Sequence, residues 1–246
     1  MTAPLAVVSG GTRGIGLAFT RRLHKLGHRV VALYRSDEAA AREVADPGSG
    51  IHVLRADLAD PDSVAAAAGT IAAAHGTPRV LVNNAGLNID RPFLEMSVDE
   101  WRSVVDTNLS GVFYLTRALA PAMVESGQEG SIINIGATTG IRPRLNGANY
   151  CASKAGLLQL TKCLALELAP RIRVNCLIPG MTETEELVTR FRLDDDASRA
   201  AVVAEIPRQR IGTVDDIADA LEFLVGPGSA YMTGQKLVVD GGQFMW

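Results

Sequence analysis

At 246 residues, 47% of them hydrophobic and 21% charged, the chain is long enough for one large α/β domain or two small ones, with the composition of a soluble globular protein. A net charge of −3 offers no general attraction to nucleic acid or to an anionic membrane surface. No apolar run approaches the roughly 20 residues of a membrane span, and residues 1–8 lead into a strand without a basic stretch, so neither a membrane anchor nor a signal peptide is expected.

Leu5 to Ser9 is a short apolar run that reads as a strand buried on both faces. Gly10-Gly11-Thr12-Arg13-Gly14-Ile15-Gly16 follows, then an amphipathic helix through Leu17, Phe19, Leu23 and Leu26, with Gly27 as its stop. Strand, glycine turn and helix in that order suit a pyrophosphate, because glycines let the backbone come close and the helix N-terminus offers free N–H groups. A second strand, 29–34, ends in Arg35-Ser36. An acidic residue there would bond the ribose 2′-hydroxyl of NAD, whereas a cation accommodates the 2′-phosphate of NADP. Arg35 holds the position, Arg13 lies in the turn and Asp37 falls late, so NADP(H) is the expected cofactor.

Further strands are expected at 52–54, 80–82, 131–135, 173–178 and 236–239, and helices at 62–75, 98–107 and 155–168. Asp57-Leu58 closes the third strand, Asn83-Asn84-Ala85-Gly86 the fourth and Pro179-Gly180 the sixth, while the helix at 98–107 runs into Asn108. Residues 181–205 are polar and alanine-rich and are expected to form helices over the site as a mobile lid. Alternating strands and helices predict one domain built on a doubly wound parallel sheet, a Rossmann fold. Cys151, Cys163 and Cys176 form no C-x-x-C and read as reduced, buried thiols of a cytoplasmic protein. His24, His28, His52 and His75 show no ligand spacing, so no metal is expected.

Tyr150 and Lys154 stand four apart at the start of a helical run and so share a helix face. A phenol has a reference pKa of about 10, and a neighbouring ammonium is expected to bring it down by roughly 1–3 units, towards the range of a general acid or base.

These residues resemble the short-chain dehydrogenase/reductase family over essentially the whole chain. The family's T-G-x-x-x-G-x-G corresponds to residues 9–16 with Ser9 for the first Thr, its N-N-A-G to 83–86, its Y-x-x-x-K to 150–154 and its P-G-x-x-x-T to 179–184. Among family members the chain is most similar to the β-ketoacyl-carrier-protein reductase type. The resemblance implies that Tyr150 exchanges a proton with the substrate oxygen, that Lys154 lowers its pKa and holds the nicotinamide ribose, and that Asn108 positions a relay water. It also implies that Asp57 and Leu58 flank the adenine, that Asn84, Ala85 and Gly86 meet the ribose, and that Pro179, Gly180, Thr182 and Thr184 meet the nicotinamide amide and phosphates. A homotetramer is implied, with residues 241–246 and the Tyr150 helix at its contacts.

Two departures stand out. The family serine that polarises the carbonyl lies about thirteen residues before the tyrosine, and that count lands on Ala137. Thr138 or Thr139 fills the gap, or the substrate is an imine, an activated ketone or a molecule with its own hydroxyl, or the protein binds NADP(H) without efficient turnover; a loop shift of one residue would instead put Thr138 in the serine's place. The second departure is the acidic stretch Glu125-Ser126-Gly127-Gln128-Glu129, where carrier-protein reductases carry basic residues. Like charges argue against a carrier protein and for a small molecule, plausibly of specialised metabolism. Arg142 and Arg144, near the site mouth, are candidates to meet an anionic group on it, or are solvated loop cations.

Overall fold

The computed structural model describes residues 3–245; Met1 and Thr2 of the N-terminal stretch and Trp246 of the C-terminal one lie outside them. Seven parallel strands form one sheet in the order β3-β2-β1-β4-β5-β6-β7. They are β1 (Leu5–Ser9), β2 (Arg29–Tyr34), β3 (Ile51–Arg55), β4 (Pro78–Asn83), β5 (Gly130–Ile135), β6 (Ile172–Pro179) and β7 (Lys236–Val239). The strand order reverses between β1 and β4, and it is outside the carboxyl ends at such a switch point that doubly wound sheets bind ligands. The expected Rossmann architecture is therefore present, with no strand end moved by more than two residues.

Helices cover both faces. On one side α1 (Gly14–Lys25) buries Gly16, Phe19, Thr20 and Leu23, spaced as one helical stripe, against α9 (Val214–Val225) and its Ile217, Ala218, Leu221 and Leu224. On the other, α3 (Pro61–Ala74), α5 (Gly111–Glu125) and α6 (Ala148–Glu167) pack on Val7, Val31, Leu81 and Ile132. Each such fully buried aliphatic side chain contributes roughly 1.5–3 kcal/mol relative to exposure. A buried polar chain crosses the second face: the Asn83 amide donates to Thr116 Oγ1 at 3.0 Å and Asn134 Oδ1 at 2.8 Å, and the Asn134 amide donates to Thr161 Oγ1 at 2.9 Å. It ties β4 and β5 to α5 and α6 and fixes α6 over the strand ends.

The structure extends the sequence expectation in several places. Helices α2 (Glu38–Val44), α5 and α9 were not anticipated. The helix expected to reach residue 107 ends at Val105 as α4 (Val98–Val105), and Asp106–Ser110 form a widened π turn before α5 begins. Residues 181–205 do form helices, α7 (Glu185–Phe191) and α8 (Asp196–Ala204), around a small core of Leu193, Ile206 and Ile211. Among the described residues no helix is long and apolar enough to cross a membrane.

His52 and His75 lie together with ring centroids 4.5 Å apart, and His28 sits apart from them just ahead of β2. Burial pushes the His28 imidazole below its usual pKa, with Arg79 adding to the effect, and burial followed by His52 and Arg29 does the same to His75. The buried His28 Nδ1 has no partner, so a proton there would be uncompensated. Both rings are thus held neutral in the fold, and the unfolded chain binds protons first. Stability is complete above the ordinary histidine value of about 6.5 and is lost as pH falls through the depressed folded values. Thermal melts at pH 7.5 and 5.5 should show a drop of a few degrees at the lower pH. His28→Leu should flatten that dependence; an unaltered slope would remove His28 from the account.

Candidate active site

The glycine turn leaves β1 with Gly10 at φ 62° and Gly14 at φ 51°, a region that L side chains rarely adopt. At Gly16 a Cβ would lie 2.0 Å from the Gly10 carbonyl oxygen, so only glycine lets α1 start this close to the turn. Arg13 caps α1 without a side-chain hydrogen bond, and the first turn carries no acid. The N-terminal N–H groups and the helix dipole are therefore free for an anion. Thr12 is buried beneath the turn and Ile15 packs against the α1 core. Thr184 faces the turn from the other side, its Cγ2 3.5 Å from where a Gly14 Cβ would stand. Its hydroxyl accepts from Leu187 N at 3.2 Å and so keeps its proton to donate.

The ends of β1 and β4 are stapled together. Ser9 Oγ accepts from Asn84 N at 3.0 Å and Ala85 N at 3.1 Å, while the Asn84 amide donates to the carbonyls of Ser9 at 3.0 Å and Gly10 at 3.2 Å. A serine at position 9 thus serves as a threonine would, because only the hydroxyl is used. Gly86 opens into the cleft, where a Cβ would stand 3.5 Å from Asn108 Oδ1 and 3.8 Å from Lys154 Nζ. The set fits a dinucleotide: an uncapped helix start, a backbone cradle that side chains would fill, and a polar floor.

At the adenosine end Arg35 and Ser36 are exposed beyond β2. The parallel register sets Arg55, at the end of β3, beside Tyr34, and its Nε donates to the Arg35 carbonyl at 3.1 Å. Sequence reading missed Arg55, because only the register brings it to Arg35. Asp37 accepts from Ala40 N at 3.0 Å as the cap of α2, and Glu38 beside it pairs with Arg42, so both acids near this strand end are engaged. Asp57 spends one oxygen on Ala59 N at 3.0 Å, and Leu58 is buried in the core, leaving its backbone to face any ligand. Thr182 is buried as well, its hydroxyl donating to the Gly180 carbonyl at 3.1 Å, so it shapes the turn rather than opening to the cleft. A Cβ on Gly180 would meet Asp240 Cβ at 2.4 Å, and this close approach brings Pro179 and the end of β6 against the end of β7.

The first turns of α6 bring Tyr150 and Lys154 to the cleft. Lys154 is buried and its Nζ donates to the Ile135 carbonyl at 2.7 Å, 5.7 Å from the Tyr150 ring centroid. Burial lowers the ammonium to about 8 and raises the phenol to about 12, the Glu186 carboxylate adding to the rise and Arg144 and Arg190 opposing it. The expected fall in the phenol pKa is thus reversed here, because desolvation outweighs any ammonium effect. Asn108, in the π turn, is fully buried: Oδ1 accepts from Leu87 N at 2.7 Å, and Nδ2 donates to Leu87 O at 2.8 Å and Ser153 Oγ at 3.2 Å. Ser153 Oγ in turn donates to the Tyr150 carbonyl at 2.8 Å. The Asn108 carboxamide thereby holds the turn after β4 and the Tyr150 helix in one piece.

Ala137 follows β5 in an extended conformation, φ −152° and ψ 152°, and remains partly open, whereas Thr138 is buried at 8% exposure. Successive side chains of extended backbone point to opposite sides. Thr138 therefore does not take the serine's place. The Thr139 hydroxyl is buried without a partner. A Cβ at Gly140 would lie 2.8 Å from the Lys154 carbonyl carbon, so this segment is packed directly on α6 and has no slack for a one-residue shift. Arg144 donates to Asn88 Oδ1 at 2.7 Å and to Asp90, and its guanidinium lies 5.8 Å from the Tyr150 ring centroid; Arg142 is exposed.

Comparison with known proteins agrees with this geometry. A family model described as enoyl-(acyl carrier protein) reductase matches residues 10–243. The 3-oxoacyl-[acyl-carrier-protein] reductase of Salmonella typhimurium is 39% identical over 243 residues, 98% of this chain and 97% of that protein. A gluconate 5-dehydrogenase from Burkholderia cenocepacia, solved in complex with NADP and tartrate, superposes with a TM-score of 0.89 at 35% identity, over 99% of this chain and 96% of that one. A structure titled short chain dehydrogenase/reductase family protein gives 0.84 at 33% identity, over 98% of each chain. With its glycine cradle, its Tyr150–Lys154 pair and these relatives, the chain belongs to the short-chain dehydrogenase/reductase family and is a ketoreductase-like oxidoreductase.

Proposed function

We propose that the protein is an NADP(H)-dependent reductase of a ketone or imine carried by a small molecule, with Tyr150 as the proton donor. The observation that carries this reading is the convergence of Lys154 and the Asn108 turn on Gly86, with the Tyr150 ring 5.7 Å from Lys154 Nζ, beside an uncapped helix start that suits a pyrophosphate. NADPH, when bound, supplies the hydride. The chain's own part is to hold the substrate oxygen at the Tyr150 hydroxyl, deliver its proton there as the oxygen gains charge, and restore that proton past Lys154. A phenol held neutral at about 12 is a donor throughout the physiological range. Asn108 acts by fixing the turn and the helix that carry these groups.

The choice of NADP(H) is supported by Arg35 and Arg55 at the strand ends, by Asp37 being engaged as a helix cap, and by the NADP-bound relative. Fluorescence titration should give markedly tighter binding of NADPH than NADH, and Arg35→Asp should shift the preference towards NADH. Indifference to that change would remove Arg35 from the argument. A panel of ketones, diketones and cyclic imines then tests the reaction, and NADPH binding without any turnover favours the second reading, a redox-silent relative, which Ala137 supports.

A small substrate rather than a carrier protein is supported by the acidic 125–129 loop, and with it a place in specialised metabolism. Of the three thiols expected to be buried only Cys176 is, Cys151 being half-buried and Cys163 exposed on α6; all three are free, which supports a reducing compartment, the cytoplasm. Exposed apolar side chains on α5 and α6, Phe113 and Leu166 at 49% and 83%, support assembly into a homotetramer.

A further inference from the structure

We propose that Arg144 and Arg190 form a fork for a substrate carboxylate, so that the molecule reduced at Tyr150 is a small oxo acid with its acid group one or two carbons from the reacting carbonyl. This rests on the reductase reading above and names its substrate class. Arg144 comes from the loop ahead of α6 and Arg190 from α7, and the two converge on a single carboxylate, that of Asp90: Arg144 Nη2 on Oδ1, Arg190 Nη2 on Oδ2. Asp90 thus holds the two guanidiniums side by side, and a second carboxylate would meet the N–H groups that Asp90 leaves over. A guanidinium carries five N–H donors. Asn88, Asp90 and the Leu145 carbonyl take three of those on Arg144, and Asp90 takes one on Arg190. The other donors have no acceptor among the described residues.

Position makes these donors useful. Arg144 lies 5.8 Å from the Tyr150 ring centroid, and the charges of both arginines pull the phenol downwards against burial. Their side chains are 28% and 32% exposed, open enough to meet a ligand yet held in place. Asp90 keeps the fork in shape, itself steadied by the Asn88 amide at 3.1 Å. Ala137 offers no hydrogen to the carbonyl, and an anchored acid group would hold that carbonyl in place at Tyr150 instead. Glu186, one turn before Arg190 on the same helix, bears on the phenol with the opposite sign and weighs against a dianion. A compact monocarboxylate suits the site best.

The test pairs acetoacetate and pyruvate with their methyl esters, with NADPH as the reductant. For at least one pair, kcat/KM for the acid should exceed that of the ester by about 10²-fold. Arg144→Gln and Arg190→Gln should each lose roughly 10–10²-fold on the acid, the worth of a charge-assisted hydrogen bond, and little on the ester. Arg144→Lys should recover only part of the loss, since the planar fork is gone. NADPH titration of each variant shows that the cofactor site is intact. Calorimetry with 3-hydroxybutyrate and lactate, in the presence of NADPH, reads carboxylate binding without turnover. Esters reduced as well as acids, or both hit equally by Arg144→Gln, would overturn the fork and leave the reductase reading standing. Arg144-dependent carboxylate binding with no reduction of any carbonyl would keep the fork and sink the reductase reading. Neither turnover nor Arg144-dependent binding overturns the fork as well.

Discussion

Tyr150→Phe is expected to lower kcat by roughly 10²–10⁴, the range that positioned acid–base groups contribute, while NADPH affinity stays nearly unchanged. The substitution is clean. The phenol hydroxyl makes no hydrogen bond to any described residue, so its removal leaves no protein group unpaired, and phenylalanine keeps the half-buried ring packed on its helix. What is lost is the phenol proton, on the ring that Lys154 and Arg144 flank. The pH profile should carry the signature of the lysine and not of the tyrosine. With the ammonium at about 8 and the phenol at about 12, activity should hold at neutral pH and decline as pH rises through about 8, where Lys154 gives up its charge. The expected measurement is steady-state kinetics from pH 6 to 9.5 on wild type and Tyr150→Phe, with cofactor titrations alongside. A variant that keeps the wild-type rate would take the proton-donor role away from Tyr150.

What could be read from the sequence was whatever a short segment encodes by itself. Gly10, Gly14 and Gly16 announce a turn because each answers a backbone demand made within seven residues, two by positive φ and one by contact with the Gly10 carbonyl. Tyr150 and Lys154 share a helix face by spacing alone. The α9 start is written locally too, since Thr213 and Asp216 form a capping box. The misses are of another kind. The π turn at Asn108 depends on Leu87, twenty-one positions away, and Asp90 meets Arg190 across a hundred. Arg55 reaches Arg35 only through strand register. The sign of the Tyr150 shift went wrong for the same reason. Helical spacing supplies the lysine, but burial by distant segments and the Glu186 charge decide the outcome. Local pattern locates the chemical groups, and tertiary packing sets their energies.

Ala137→Ser should produce the second large effect, a gain of roughly 10²-fold in kcat/KM for simple neutral ketones, because one donor aimed at a developing oxyanion is worth about 10²–10³. The position is favourable for it. Ala137 is extended, partly open and followed by a turn packed on Lys154, so a serine there would be held in register with the Tyr150 helix. Little stability is at stake at a partly open site. For an oxo acid anchored by Arg144 and Arg190 the gain should be much smaller, since the anchored acid group already holds the carbonyl in place at Tyr150. The two substrates measured on the same variant therefore separate the explanations. A large gain on neutral ketones alone means that alanine marks specialisation for a substrate anchored by its own acid group. An equal gain on both means that the site is merely short of a donor and that the arginine fork does not replace it. A loss on both would mean that the cleft is shaped around the alanine methyl, and that the missing hydroxyl was never part of how this site works.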